Sequence, residues 1–184
     1  MSSSLERLKQ SHGVAVGWRS FELRPAGAPP ISPEYRARIE AGRPRLVQMA
    51  RDVYGLEINP GKMDGTSRAA LVGAKYAEGA GLGDAYHDAV FRAYWQQAQD
   101  ISDRAVLADI ADQIGLDRAA FLAALDDTAY DDDVQADVDL AHSYGLGGVP
   151  ALVFQDKYLV SGAQPYEMLV RVTEQVRAEM AAES

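Results

Sequence analysis

The sequence predicts an α/β protein in which a short strand, a run of helices, a β-hairpin and a closing helix follow in that order. Three observations carry this. Val14–Leu23 alternates Val14, Val16, Trp18 and Ser20 on one side with Ala15, Gly17, Arg19 and Phe21 on the other, the period of a strand. From Ser32 to Tyr144 the apolar residues recur at helical spacing between glycine stops. Gly145–Tyr166 then holds a glycine-rich loop, two short β-branched and aromatic runs around a turn, and a helix start.

In chain order, Leu5 and Leu8 mark the last turns of a first helix, with Ser4 as its cap and His12-Gly13 as its stop. Pro25–Pro33 is a proline-rich loop that leaves the sheet. Ser32-Pro33 is a cap followed by proline at the first helical position. Gly42 is expected to interrupt that helix, and Leu46, Val47, Ala50, Val53 and Tyr54 keep helical spacing up to a stop at Gly55. Leu56–Gly65 reads as a loop.

Thr66 or Ser67 caps the next helix, which carries Leu71, Val72 and Tyr76 and ends in the glycines 79, 81 and 83. Asp84 opens a helix whose Tyr86, Val90, Phe91, Tyr94 and Trp95 form one broad apolar face. Ser102-Asp103 starts a helix with Val106, Leu107, Ile110 and Ile114 inward, stopped by Gly115. Asp117 caps a short helix with Phe121, Leu122 and Leu125, and a further helix covers about 128–144.

Val149 before Pro150 is pushed into the extended region, and a proline suits the first residue of a strand, where no ladder donor is needed. Ala151–Gln155 and Tyr158–Ser161 are the two strands, with Asp156-Lys157 as the turn pair. Pro165–Ala182 closes the chain as a helix with Tyr166, Leu169, Val170, Thr173, Val176 and Met180 on one stripe.

The chain has 184 residues and 47% hydrophobic content, enough for a full core. Lys and Arg number 18 against 27 Asp and Glu, a net charge of −9 that disfavours nucleic acid or an anionic membrane as partner. No apolar run approaches the roughly 20 residues that cross a bilayer, and the N-terminus lacks a signal peptide's apolar core. The expected location is cytoplasmic. There is no cysteine, so these residues form no disulfide and supply no thiolate.

Gly148-Val149-Pro150-Ala151-Leu152-Val153-Phe154, a hairpin, and Val160-Ser161-Gly162-Ala163-Gln164-Pro165 resemble the C-terminal half of DsbA-like thioredoxin-fold proteins. Within these, the FrnE-like and 2-hydroxychromene-2-carboxylate isomerase branch is the most similar. Phe91-Arg92-Ala93-Tyr94-Trp95, Asp100-Ile101-Ser102-Asp103 and Gly115-Leu116-Asp117 resemble that branch's helical insertion, and Phe21-Glu22-Leu23-Arg24-Pro25 the end of its second strand. The resemblance runs from Leu5 to about Val176. It implies an N-terminally truncated thioredoxin-like core from residues 1–31 and 145–184, with an all-helical domain inserted over 32–144.

The resemblance also implies a function. In the family, the residue matching Pro150 is a cis-proline facing a redox-active Cys-x-x-Cys, and the backbone beside it pairs with an extended substrate. An ordinary trans proline at a strand start is the alternative. The implied substrate-binding residues are Gly148, Val149 and Pro150. Tyr94 and Trp95 join them because the insertion covers the substrate cleft in the isomerase branch; a plain core role for this aromatic stripe is the alternative.

Thioredoxin-type exchange needs a low-pKa thiolate and a resolving thiol, and this chain has neither. Ser2, Ser3 and Ser4 lie too close to Leu5-Glu6-Arg7-Leu8 to replace them. The leading expectation is therefore a DsbA/FrnE-like thiol–disulfide oxidoreductase family protein that is redox-inactive in this chain, with no catalytic residue of its own. One alternative is a glutathione-dependent isomerase relative, in which bound glutathione supplies the thiol. Another is a non-catalytic peptide-binding or self-association module. The partners these readings name are an extended polypeptide, a small-molecule thiol or a second copy of the chain.

In the family's core the first strand lies between the second strand and the hairpin, and unpaired buried backbone there is not tolerated. Three arrangements answer this: Val14–Leu23 closes onto the hairpin, a second chain donates a strand, or this edge is poorly ordered. A late start of the reading frame, a truncated relic or a fold reused for binding would each explain the absence of the thiols.

Other motifs offer less. The run Asp126, Asp127, Asp131, Asp132, Asp133, Asp137 and Asp139 lacks the glycine of a calcium loop and reads as a solvated helix face. His12, His87 and His142 have no metal spacing and form no triad pattern. Glycines 79–83 are not part of a strand-to-helix phosphate loop, so nucleotide binding is unsupported. No metal is expected.

Overall fold

A computed structural model describes residues 2–59, 61 and 65–182. Four residues of the expected 56–65 loop (60 and 62–64) and the side chains of Ser2 and Ser3 lie outside the described part. The helices are α1 (Ser2–His12), α2 (Pro33–Tyr54), α3 (Arg68–Gly79), α4 (Gly83–Trp95), α5 (Arg104–Gln113), α6 (Arg118–Ala124), α7 (Thr128–Ser143) and α8 (Tyr166–Ala182). Between α7 and α8 stand β1 (Ala151–Phe154) and β2 (Tyr158–Ser161). The chain divides into two compact units, Met1–Leu23 with Asp137–Ser184, and Arg24–Ala136.

In the first unit, α1 packs on α8. Leu5, Leu8 and Leu169 are buried together, and Val14, Val16, Trp18, Leu152, Tyr166 and Val170 pack around them. Each fully buried leucine contributes about 1.5–3 kcal/mol of hydrophobic transfer free energy. β1 and β2 pair antiparallel, from Ala151 opposite Ser161 to Phe154 opposite Tyr158.

Val14–Leu23 is not a strand. The expected alternation is present, since residues 14, 16, 18 and 20 face inward and 15, 17 and 19 outward. Yet among the described residues the sheet has only β1 and β2, so this extended segment joins no ladder there and does not pair with the hairpin. Period-two burial needs an extended chain over an apolar floor, not a hydrogen-bonded neighbour. The turn also shifts by one residue. Gln155 and Asp156, at φ 50° and 52°, form the left-handed pair, and Lys157 N donates to Phe154 O at 3.1 Å.

The second unit is helical. Its core gathers Tyr86, Leu107, Ala108, Ile110, Leu116 and Phe121 from α4, α5, α6 and their connections. Phe121 meets Tyr76 at 6.0 Å edge-on and Tyr86 at 5.6 Å. Asp103 and Asp117 cap α5 and α6 by accepting from Ala105 N and Ala120 N. Ser32 caps α2 as expected, accepting from Tyr35 N at 3.2 Å.

Gly42 does not interrupt α2, which continues through Gly42 and Pro44 for 22 residues. One glycine and one proline weaken a helix locally without removing the remaining ladder bonds. Gly55 at φ 63° ends it, with Gly55 N and Leu56 N closing on Arg51 O and Ala50 O. Two other caps differ from expectation. Leu82 precedes α4, with Asp84 inside the first turn, and Ser4 lies within α1. The aromatic stripe of α4 also divides: Tyr86, Val90 and Ala93 are buried while Phe91 and Trp95 are exposed, because a core-facing arc is narrower than the residues available to fill it.

Candidate functional site

The loop between α7 and β1 is built by local rules. Gly145, at φ 69°, donates to His142 O, and Leu146 N donates to Ala141 O at 3.0 Å, which turns the chain off the end of α7. The Val149–Pro150 bond is cis. Pro150 O accepts from Gly162 N at 2.8 Å, tying the loop to the far strand beside the Ala151–Ser161 pair.

This arrangement encloses an open cavity of about 330 Å³. Its walls are apolar at Leu146, Val149, Pro150 and Leu159, with Ser161 as the one side-chain hydroxyl. A Cβ added at Gly145, Gly147 or Gly148 would meet nothing within 4 Å, so the backbone there is open to a ligand. Val149 is 53% exposed. The lining holds no ionisable side chain. Such a site can bind an apolar extended segment through contacts and backbone groups; it holds no nucleophile beyond Ser161. Nearby, burial and the Asp156 carboxylate raise the Tyr144 phenol above its ordinary value.

Gly148, Val149 and Pro150 therefore line one cavity together. Tyr94 and Trp95 belong to the helical unit, where their rings meet edge-on at 5.1 Å. Their carbonyls accept from Gly61 N and Asn59 N. Sequence reasoning did not single out Leu146 and Leu159. Both are ordinary apolar residues whose roles appear only when the loop folds back over the hairpin. A second cavity of about 350 Å³, lined by Arg92, Gln97, Gln99 and Gln113 among others, had no sequence signal either, its polar residues being scattered.

Asp126, Asp131 and Asp137 of the aspartate run form ion pairs, with Arg104, Arg68 and Arg19. Asp131 meets Arg68 at 2.6 Å and Asp126 meets Arg104 at 2.7 Å, and each arginine holds its carboxyl below the ordinary range. Asp137 departs from the solvated face: it is 5% exposed and accepts from Ser20 N. Among the described residues, no group of three or more His, Asp or Glu could hold a metal ion. His12 bonds Ser11 Oγ, His87 stacks on Phe91 and His142 meets Phe21 edge-on. No helix among the described residues is long and apolar enough to cross a membrane.

Residues 1–173 match the DSBA-like thioredoxin domain. The chain is a member of that family. The expected resemblance and the thioredoxin-like fold class are thereby shown, in a chain without cysteine. A probable DsbA oxidoreductase from Streptomyces coelicolor superposes with a TM-score of 0.81 at 29% identity, covering 97% of this chain and 82% of that one. The uncharacterized protein YwbO of Bacillus subtilis (strain 168) is 29% identical over 166 residues, 88% of this chain and 82% of its own length. A 2-hydroxychromene-2-carboxylate isomerase shares the fold at a TM-score of 0.77 and 22% identity, covering 98% of this chain and 90% of that one. The cytosolic disulfide reductase DsbM from Pseudomonas aeruginosa does so at 0.68 and 20%, covering 96% and 91%.

Proposed function

We propose that these 184 residues act as a DsbA/FrnE-like binding protein: the 145–150 loop takes an extended polypeptide or a small thiol, and no disulfide exchange runs through a thiol of the chain itself. The observation that carries this reading is an open, uncharged cavity at Gly148–Pro150, lined by loop backbone and the side chains of Leu146, Val149, Pro150 and Leu159, in a member of a thiol–disulfide family that has no cysteine. Exchange begins with thiolate attack on a disulfide sulfur, and a serine hydroxyl does not substitute for it. The proposed division places the family's core in residues 1–31 and 145–184 and the insertion in 32–144, with Tyr94 and Trp95 as further substrate contacts. A cytoplasmic location is part of the proposal.

A second reading is a glutathione-dependent isomerase relative. It is supported by the fold shared with the isomerase and by the fact that a bound thiol would remove the need for a protein thiol. A third, a module that receives an extended strand, is supported by the extended 14–19 segment, which is not a strand of the described sheet.

An insulin-reduction assay tests the first reading, and catalysis by these 184 residues would overturn it. Calorimetric titration with reduced glutathione and with an extended apolar peptide separates the other two. Val149→Glu, placing a charge in the apolar wall, is expected to weaken binding of the true ligand at least about tenfold with an unchanged melting temperature. Binding that ignores this change places the site elsewhere.

A further inference from the structure

Helix α2 buries only one of its 22 residues, Ala50. Its half-buried positions, Arg36, Ile39, Arg43 and Val47, lie on the same side as Ala50. The flank beside them is apolar and exposed: Tyr35, Leu46, Met49 and Val53 are 47%, 37%, 47% and 65% exposed, and Leu56 beyond the cap is 48% exposed. At roughly 100° per residue, Tyr35, Gly42, Leu46, Met49 and Val53 fall within an arc of about 60°. A solvent-facing stripe this long has no role in a helix that stands alone.

Gly42 lies inside that arc. Glycine is disfavoured in a helix interior, its φ here is ordinary, and a Cβ at this position would meet nothing within 4 Å. Nothing within the chain requires it. A glycine in the middle of an uncovered apolar stripe permits the close approach of another backbone.

We propose that α2 is a homodimer interface, with two copies of the helix packed antiparallel across a two-fold axis at Met49. Residues whose numbers sum to about 98 then face one another. Met49 meets its own copy, Leu46 meets Val53 twice, and Gly42 accepts the bulk of Leu56 twice. The charges on the exposed border agree with this register. Arg45 and Asp52 lie on the same flank of the stripe, and the same axis sets Arg45 of each copy beside Asp52 of the other, giving two ion pairs. An interface reading the apolar stripe alone would not select a register; the Arg45–Asp52 spacing selects this one. The proposal is independent of the thiol chemistry above.

Sedimentation equilibrium of the 184-residue chain, from low to hundreds of micromolar, is expected to show a monomer–dimer equilibrium. Met49→Glu is expected to leave a monomer with an unchanged far-ultraviolet circular dichroism spectrum. Gly42→Leu, filling the space left for Leu56, is expected to raise the dimer dissociation constant without lowering the melting temperature of the dilute protein. Arg45→Asp and Asp52→Arg are each expected to weaken the dimer at least about tenfold, and the double swap to restore it. A monomer at every concentration, a dimer that survives Met49→Glu, or a double swap no better than the single ones would overturn the proposal.

Discussion

The buried carboxylate of Asp137 accepts the backbone N–H of Ser20 at 2.9 Å through Oδ2, while Oδ1 accepts Arg19 Nη1 at 3.1 Å. Ser20 and Asp137 are each 5% exposed. A side chain from α7 therefore does for the extended 14–20 segment what a neighbouring strand would otherwise do at this residue. One acceptor satisfies a buried donor that no ladder reaches.

Asp137→Ala leaves the Ser20 N–H buried without this partner, and is expected to cost about 2–3 kcal/mol. Asp137→Asn keeps an acceptor at the same place and is expected to cost roughly half as much. Urea denaturation midpoints read both. Equal losses for the two variants would show that charge, not the hydrogen bond, holds the segment.

Tyr86 Oη is buried without a hydrogen-bond partner among the described residues, and burial pushes its phenol well above the ordinary value. Tyr86→Phe is therefore expected to leave stability unchanged or raise it by up to about 1 kcal/mol. Gly73 explains the crowding, because a Cβ there would lie 2.5 Å from Tyr86 Oη and 2.6 Å from Phe121 Cζ. Gly73→Ala is expected to cost about 1–3 kcal/mol by overpacking, and less when Tyr86→Phe has removed one of the two obstacles. Thermal melts of the four proteins test the coupling. An additive cycle would mean that Phe121 alone sets the limit.

Burial lowers the His87 imidazole below its ordinary value, against the smaller opposing influence of Asp88 and Asp84. In the unfolded chain this histidine takes a proton near about pH 6.5. Between that value and the lower folded one, the unfolded state binds more protons, so stability rises with pH. The contribution is fully present above about pH 6.5 and is lost as pH falls through the folded value. Melting temperatures taken from neutral to mildly acid pH should fall, and His87→Phe, which preserves stacking on Phe91, should flatten the slope. Parallel slopes for the two proteins would assign the pH dependence to other groups.

Much of the fold was legible because it rests on local rules. Ser32-Pro33, Gly55, Asp103, Asp117 and the two hairpin strands announce themselves through capping, left-handed termination and β-branched runs, which depend on residues close in sequence. The loop residues Gly148, Val149 and Pro150 were legible as candidates through a motif, and the structure gathers them around one cavity. What failed was non-local. The alternation of Val14–Leu23 predicts a strand, and burial follows it from 14 to 20, but pairing belongs to two segments and cannot be inferred from one. Gly42 reads as an interruption because intrinsic propensity counts against it, while the ladder on either side carries the helix through.

By itself, then, the sequence determined the family, the order of the helices and the hairpin, and the absence of any thiol in these residues, since composition and short motifs are properties of the chain alone. Tertiary structure decided which residues wall the 145–150 cavity, that Asp137 is buried beneath Ser20, and that the α2 stripe from Tyr35 to Val53 faces solvent. Those facts depend on what each side chain meets from elsewhere in the fold. Spacing along the chain sets which residues share a face, and only packing sets whether that face is covered.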